Sequence, residues 1–312
     1  MHVIRRKAMV SWVAIAGALA LASALAAPAL AEDSQAPSAP AEAPVLTPVE
    51  PAAPSTSPAA SASSVESNPC FTGKGSIKEV LDGCAAFIAS GTKDTDKLVA
   101  AHGNRAIGLS ATGDLDGALA ELDEALRLDP TEANFYLMRA AAYRAKQDFD
   151  KALADVDEAI RLDASRGDFY MLRGEIFSDQ GDLDRAITEL DQKVKLDPDS
   201  SQGYAKRADL FRQKKDYDRA VTDYSEIIKR EPDNPKSYVD RGWIYVLKND
   251  LDHAMNDFNM ALKIHENDAS ALVGIGLVKS RKGKPTDGSA EISHALELEP
   301  GIVDEIKKLG VE

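Results

Sequence analysis

The sequence predicts an all-α fold in which antiparallel helix pairs stack side by side as an α-solenoid. One pattern recurs every 34 residues over six repeats without insertion or deletion, and the repeats begin at Val99, Ala133, Gly167, Ser201, Pro235 and Ala269. In each repeat, positions 4, 7, 8 and 11 share one face of a first helix, and positions 20, 24 and 27 share one face of a second helix. Because one such pair cannot bury both faces alone, neighbouring pairs must stack.

Composition places the chain among acidic, soluble, globular proteins. Of its 312 residues 44% are apolar and 28% are charged, and 51 acidic against 37 basic residues give a formal charge of -14. This charge argues against nucleic acid as a partner, because affinity for nucleic acid comes from Lys and Arg that neutralise phosphates. Two cysteines and five histidines are too few for multi-cysteine zinc modules or disulfide-dense scaffolds.

Residues 1–31 are predicted to be a signal peptide. Arg5, Arg6 and Lys7 precede an apolar run that ends at the small residues Ala29 and Ala31, and this order matches a basic region, an apolar region and an A-x-A cleavage site. An uncleaved membrane anchor is the alternative, since the run approaches the roughly 20 apolar residues that span a bilayer. We expect cleavage after Ala31 and a periplasmic or secreted chain with no membrane attachment.

Residues 32–69 are predicted to be a disordered linker. The segment is dominated by Ala, Pro and Ser and contains neither basic nor aromatic residues, so it cannot bury a core. Its repeated prolines favour an extended spacer.

Residues 70–98 are predicted to form an N-terminal cap. A single helical stripe between positions 76 and 90 contains Ile77, Val80, Leu81, Cys84, Phe87 and Ile88 and should cover the exposed end of the first repeat. Cys70 and Cys84 are the only cysteines, and export to an oxidising compartment favours a disulfide between them. Such a bond would contribute roughly 3 kcal/mol. Metal binding or a reactive thiol is the alternative, but no histidine lies nearby in the sequence.

The repeats alternate small and large residues where their two helices should meet. Small residues occupy position 8 (Ala106, Ala140, Gly174, Ala208, Gly242, Gly276) and position 20 (Ala118, Ala152, Ala186, Ala220, Ala254, Gly288). They let the helices approach closely, while larger residues at positions 11 and 24 fill the space beside them. Aspartates at position 16 are N-cap candidates for the second helix: Asp114, Asp148, Asp182, Asp216 and Asp250.

These features resemble the tetratricopeptide repeat (TPR). The resemblance rests on the length of 34, on the small, large and small residues at positions 8, 11 and 20, and on Pro130, Pro198, Pro232 and Pro300 at position 32. It implies a right-handed superhelix of six repeats, at 99–132, 133–166, 167–200, 201–234, 235–268 and 269–300. The sixth repeat departs from the pattern with Lys279, Lys284 and Gly288, which we interpret as a frayed terminal repeat. A C-terminal capping helix should follow within 301–312.

Arginine at position 7 departs from the family pattern, in which Leu is commoner. Five repeats carry it (Arg105, Arg139, Arg173, Arg207, Arg241), and position 23 carries a carboxylate in each of them (Glu121, Asp155, Glu189, Asp223, Asp257). Antiparallel pairing places positions 7 and 23 close together, so we predict a ladder of structural ion pairs. A row of arginines that binds an anionic ligand is the alternative, but a half-buried guanidinium needs its partner.

The resemblance also implies that positions 2, 5, 9 and 12 of each first helix line a concave binding groove. The candidate partner-binding residues are Asn134, Leu137, Arg144, Met171, Glu175, Asp209, Arg212, Lys236, Val239, Trp243 and Val246. Trp243 is the best candidate, because Trp is enriched in binding hot spots. Packing of Trp243 against the sixth repeat is the competing interpretation, and the sequence leaves the two open.

No motif for catalysis, a cofactor or a metal is found. The sequence contains no G-x-S-x-G, no phosphate-binding glycine loop and no pair of histidines at metal-binding spacing. We therefore expect a non-enzymatic interaction scaffold of the cell envelope that binds a segment of another protein or peptide. The alternatives are a structural or self-associating envelope component and an accessory regulator of an envelope enzyme.

Overall fold

The computed structural model describes residues 67–283 and 285–311, apart from the side chains of residues 285–287. Throughout these residues the regular structure is α-helical and no strand is present. The predicted signal peptide and nearly all of the predicted linker lie outside the described residues, as does Lys284. The prediction of an all-α fold is confirmed.

The described helices follow the 34-residue period. In chain order they are α1 (Pro69–Thr72), α2 (Ile77–Ala89), α3 (Thr95–Ala111), α4 (Leu115–Leu128), α5 (Ala133–Ala145), α6 (Phe149–Leu162), α7 (Gly167–Asp179), α8 (Leu183–Leu196), α9 (Ser201–Gln213), α10 (Tyr217–Arg230), α11 (Pro235–Leu247), α12 (Leu251–Ile264), α13 (Ala269–Arg281), α14 (Pro285–Leu298) and α15 (Ile302–Lys308). The first helix of repeat 1 begins at Thr95, earlier than the period predicts, because the Asp94 side chain caps it.

The described residues divide into two compact units; unit 1 ends at Ile176 and unit 2 begins at Phe177. In unit 1, α3 packs against α4, α5 packs against α6, and α2 packs on α3 as the predicted N-terminal cap. In unit 2, the pairs are α9 with α10, α11 with α12, and α13 with α14, and each pair also contacts the next one along the chain. Each unit is therefore built from consecutive antiparallel helix pairs.

The helix pairs meet at positions 8 and 20. The alanines at these positions are fully buried: Ala106, Ala118, Ala140, Ala152, Ala186, Ala208, Ala220 and Ala254. In repeat 6 both positions are glycine, and a Cβ atom on Gly288 would overlap the backbone carbonyl oxygen of Gly276. The sixth repeat is thus not frayed, because α13 and α14 pack closely at these two glycines.

The predicted N-caps are confirmed. Asp114 accepts a hydrogen bond from the Gly117 backbone N–H at 2.9 Å, and Asp182 accepts one from Arg185 at 3.0 Å. The other three position-16 aspartates cap their helices in the same way. The backbone N–H of Arg185 lowers the pKa of the Asp182 carboxyl. This cap therefore stabilises the fold at neutral pH, and its contribution is lost as the pH falls through the lowered pKa.

The predicted disulfide is confirmed. Cys70 and Cys84 are bonded with Cα atoms 4.7 Å apart, and both are buried. The bond joins α1 to α2. The Asn104 side chain of α3 donates a hydrogen bond to the Cys70 carbonyl oxygen at 2.8 Å, and this hydrogen bond connects α1 to the first repeat.

The turn between the two helices of each repeat requires a left-handed residue at position 15. Glycine supplies it in three repeats, at Gly113, Gly181 and Gly283, but Gln147, Lys215 and Asn249 adopt the same conformation with φ near +60°. A side chain with a Cβ atom is strained there by roughly 1–2 kcal/mol.

We expect Lys215→Gly to raise the free energy of unfolding by up to about 1 kcal/mol, because it removes this strain. The reciprocal change, Gly181→Ala at the same repeat position, should lower it by about 1 kcal/mol. Urea unfolding followed by circular dichroism measures both variants. A loss of stability in Lys215→Gly would show that the lysine side chain stabilises the fold by more than its left-handed backbone conformation destabilises it.

Candidate partner-binding face

The candidate site is the set of positions 2, 5, 9 and 12 on the first helices, which we call the first-helix face. By helical spacing, these positions lie on a different side of each first helix from positions 4, 7, 8 and 11. The face is described for each unit separately, since the candidate residues Asn134 to Glu175 belong to unit 1 and Asp209 to Val246 belong to unit 2.

In unit 1 the candidate residues are largely engaged within the chain. Leu137 is fully buried in the apolar core of the unit, and Met171 is half-buried. Arg144 donates a hydrogen bond to Glu175 at 2.5 Å, which joins α5 to α7, and both side chains are mostly buried. This part of the face therefore couples neighbouring repeats.

Asn134 belongs to a buried polar network at the start of α5. Its side chain donates to Glu132 at 2.7 Å and accepts from Arg166, which also forms an ion pair with Asp168. Burial raises the pKa of the Glu132 carboxyl. Since these groups satisfy one another, Asn134 serves the structure of the face rather than presenting a free amide to a partner.

Trp243 lies in the core of unit 2, with 2% of its surface exposed. Its indole N–H donates to Ser270 on α13 at 2.9 Å, and its ring packs edge-on against Phe258 with centroids 5.0 Å apart. Val239 and Val246 are also buried. The interpretation of these three residues as an accessible binding patch is therefore corrected: Trp243 packs against the sixth repeat, which is the competing interpretation.

The C-terminal residues share this apolar cluster. Ile302, Ile306 and Val311 are each 5% exposed and belong to the same buried cluster as Trp243. Helix α15 packs against α13 and α14. Arg212 of α9 donates to the backbone carbonyl oxygen of Leu309 at 3.3 Å. The predicted C-terminal capping helix is thus present, and the residues after it also contribute to the core.

The accessible part of the face in unit 2 is charged. Asp209, Arg212 and Lys236 belong to this part of the face, and Asp240 at position 6 lies beside them; we call these four residues the charged strip. The side chain of Asp209 is 50% exposed and that of Lys236 is 77% exposed. Lys236 contacts Asp240 at 3.0 Å, and Arg212 lies 3.5 Å from Asp209. Burial raises the pKa of the Asp240 carboxyl, although Lys236 opposes this shift.

Four of the five arginines at position 7 lie beside the predicted carboxylate. Arg139, Arg207 and Arg241 each donate two hydrogen bonds, at 2.7 to 2.9 Å, to the aspartate 16 residues later. Arg105 binds Glu121 at 2.5 Å. Arg173 binds Asp157 at 2.7 Å, and Glu189 lies half-buried on α8. These arginines are engaged by carboxylates of their own chain, so the geometry favours structural pairs over an anion site.

Further ion pairs, which were not predicted from the sequence, join consecutive repeats. Arg139 and Arg207 reach back to Asp123 and Asp191 of the preceding repeat, at 2.6 and 2.7 Å. Lysines at position 14 also pair with aspartates at position 18 of the preceding repeat; the pairs are Lys146 with Asp116, Lys214 with Asp184, Lys248 with Asp218, and Lys282 with Asp252. Their constant separation of 30 residues is the sequence signal that reveals them.

Neither a metal site nor a membrane span emerges from the described part of the chain. Among residues 67–283 and 285–311, no three His, Cys, Asp or Glu side chains form a group that could hold a metal ion. Of the helices described there, none combines the length and the apolar character that crossing a membrane requires.

Comparison with known proteins identifies the repeat. A family model described as Tetratricopeptide repeat matches residues 104–166, 137–201 and 205–269, which together exceed half of the chain. No curated protein matches the chain significantly.

Two solved structures show the same fold at low identity. The C-terminal part of a TPR repeat-containing protein from Cytophaga hutchinsonii is 14% identical, with a TM-score of 0.61 over 72% of this chain and 91% of that one. A tetratricopeptide repeat protein from Parabacteroides merdae is 18% identical, with a TM-score of 0.57 over 80% of this chain and 98% of that one. YrrB, described as a TPR protein with an unusual peptide-binding site, is 21% identical, with a TM-score of 0.48 over 62% of this chain and 97% of that one.

We expect Arg139→Ala to lower the free energy of unfolding by about 3–5 kcal/mol, because it leaves the buried Asp155 carboxylate without its cation. The matched control is Arg161→Ala in the same repeat, whose side chain is 66% exposed in its pair with Glu158. That change should cost no more than about 1 kcal/mol. Chemical unfolding measures both, and equal losses would contradict the structural role of the buried pair.

We expect Trp243→Ala to cost about 3–5 kcal/mol of stability, because it removes a large, fully packed side chain. Met260→Ala on the exposed side of α12 is the control and should change stability by less than about 1 kcal/mol. Thermal unfolding followed by circular dichroism compares the two. An unchanged midpoint in Trp243→Ala would place the indole on a free surface instead.

Proposed function

The chain belongs to the tetratricopeptide repeat family, and from this premise we propose that it binds another protein and catalyses no reaction. Proteins of this family generally act as protein-interaction scaffolds. The proposed binding surface is the charged strip on the first-helix face of unit 2. The proposed partner is a segment of a cell-envelope protein.

One observation carries this proposal: the first-helix face changes from repeat to repeat, whereas the packing positions stay constant. Positions 8 and 20 remain small in all six repeats because the fold requires it. In repeat 4, by contrast, positions 9 and 12 are Asp209 and Arg212, while in repeat 5 they are Trp243 and Val246. Helix pairing requires neither Asp209 nor Arg212 at its own position, whereas Trp243 and Val246 are buried in the core of unit 2. Recognition of a partner accounts for accessible charges held on an otherwise rigid helix face.

The charged groups of the strip support binding rather than catalysis. A general acid or base needs a carboxyl whose shifted pKa is available to a substrate. The raised pKa of Asp240 comes from burial, and its carboxylate is held by Lys236 at 3.0 Å. Asp209 lies beside Arg212. Such paired groups suit a complementary set of charges on a partner segment.

We further propose that the protein is exported and works in the periplasm. The N-terminal order of basic residues, apolar run and A-x-A supports export. The Cys70–Cys84 bond supports an oxidising compartment. The Ala-, Pro- and Ser-rich segment at 32–69 would then hold the repeats at a distance from the N-terminus of the mature chain.

The test is crosslinked capture from envelope extract. We expect the double variant Asp209→Ala, Lys236→Ala to retain at least tenfold less partner than the wild type, because it removes both exposed charges of the strip. The matched control is Lys229→Ala, Asp233→Ala, which also removes one acid and one base, from exposed positions of repeat 4 outside the first-helix face. Circular dichroism confirms that both variants are folded. Equal capture by the two variants would contradict the proposed surface.

A further inference from the structure

We infer that the C-terminal segment, residues 302–311, is a built-in occupant of the first-helix face of unit 2, and that a partner segment of the same chemistry displaces it. That chemistry is a short helix with two aliphatic residues four positions apart and a third aliphatic residue five positions later, as in Ile302, Ile306 and Val311. The inference rests on the proposed function and names the class of partner segment for the same face.

The C-terminal segment is buried through its three aliphatic side chains. Its three aliphatic side chains lie in the same apolar cluster as Val239, Trp243 and Val246, which are positions 5, 9 and 12 of repeat 5. Val273 at position 5 of repeat 6 belongs to this cluster as well. The segment therefore contributes to the apolar cluster in which this half of the first-helix face is buried.

A side chain of the charged strip also contacts the backbone of the C-terminal segment. Arg212 extends from α9 and donates a hydrogen bond at 3.3 Å to the Leu309 backbone carbonyl oxygen, 97 residues later. A side chain of the charged strip thus already binds a peptide backbone. Because the acceptor is a backbone carbonyl, any segment that follows the same path can replace it.

The C-terminal segment has little helical stability of its own. Helix α15 has seven residues, and its N-cap, Gly301, offers no side-chain hydrogen bond. A helix this short does not persist in water without packing. Its outer side is solvated, with Asp304, Glu305, Lys307 and Lys308 exposed. The segment is therefore ordered by docking, and it belongs to the part of the molecule that opens at lowest cost.

Release of the segment would uncover a contiguous apolar surface beside the charged strip. Surfaces of this kind bind amphipathic helices through aliphatic residues one turn apart. An occupant in the same chain lowers the apparent affinity of a partner, because the intrinsic affinity is multiplied by the fraction of molecules in which the face is uncovered. The C-terminal segment would thereby select for partners whose affinity for the face is high enough to displace it.

The test uses a fluorescein-labelled peptide with the sequence of residues 301–311 and the full-length protein. Wild-type protein should bind it weakly, because its own segment covers the face. The variant Ile306→Asp undocks that segment and should bind the wild-type peptide at least tenfold more tightly. The control Lys308→Asp adds the same residue at an exposed position of α15 and should behave as the wild type. A folded Ile306→Asp variant that binds no better than the control would overturn the inference.

A second measurement needs no substitution. Amide hydrogen exchange of the wild-type protein should show the amides of α15 exchanging at least tenfold faster than those of α11 and α12. Exchange of all three helices at one rate would show that α15 is an integral cap, and so would global unfolding of the Ile306→Asp variant. Either result would overturn the inference.

The outcomes also separate this inference from the proposed function. One outcome is capture of an envelope partner that depends on Asp209 and Lys236, together with no peptide binding by Ile306→Asp. It would contradict the inference that the C-terminal segment is displaceable and support the charged strip as the binding surface. Light scattering adds one more outcome. A dimer of the wild-type protein that the Ile306→Asp variant fails to form would assign the apolar face to a second copy of the chain and overturn the inference.

Discussion

The close approach of two helices at positions 8 and 20 is the constraint on which the rest of this structure depends. In most repeats two fully buried alanines or an alanine and a glycine meet there, and in repeat 6 two glycines bring the backbones into contact. The larger side chains at position 24, such as Leu122, Val156 and Phe258, are buried beside this contact. Repetition of the same contact every 34 residues gives one helix pair per repeat and leaves each pair in need of a neighbour.

The same constraint separates structural from functional residues. Arginines at position 7 link the two helices of a repeat to each other and to the preceding repeat, which explains why they recur although they are half-buried charges. The exposed charges of the first-helix face, Asp209 and Lys236, carry no such requirement. In unit 2 this face is divided between a charged strip that faces solvent and an apolar part in the same buried cluster as the chain's own C-terminal residues. Binding and its regulation are proposed to share that face.

Much of the fold was predictable because the period fixes which residues face one another. The helix pairs, the aspartate N-caps and the Cys70–Cys84 bond follow from local chemistry and spacing. The burial of Trp243 was left open by the sequence. The period fixes which positions of the repeats face one another, but it does not place the residues after repeat 6, which belong to the same buried cluster. The burial of Val311 and the contact between Arg212 and Leu309 depend on residues beyond the period. The lysine and aspartate pairs 30 residues apart were readable in the sequence and were missed.

Substitution of Gly288 by alanine tests the central constraint most directly. Alanine favours a helix over glycine by about 1 kcal/mol, so this change would stabilise α14 if the position were free. The account predicts the opposite sign, a loss of about 2 kcal/mol or more in urea unfolding, because the new methyl group would overlap the Gly276 carbonyl. Gly301→Ala, where no atom lies within 4 Å of the added carbon, is the control and should change stability by less than about 1 kcal/mol. A Gly288→Ala protein as stable as the wild type, or more stable, would contradict close backbone contact as the basis of this fold.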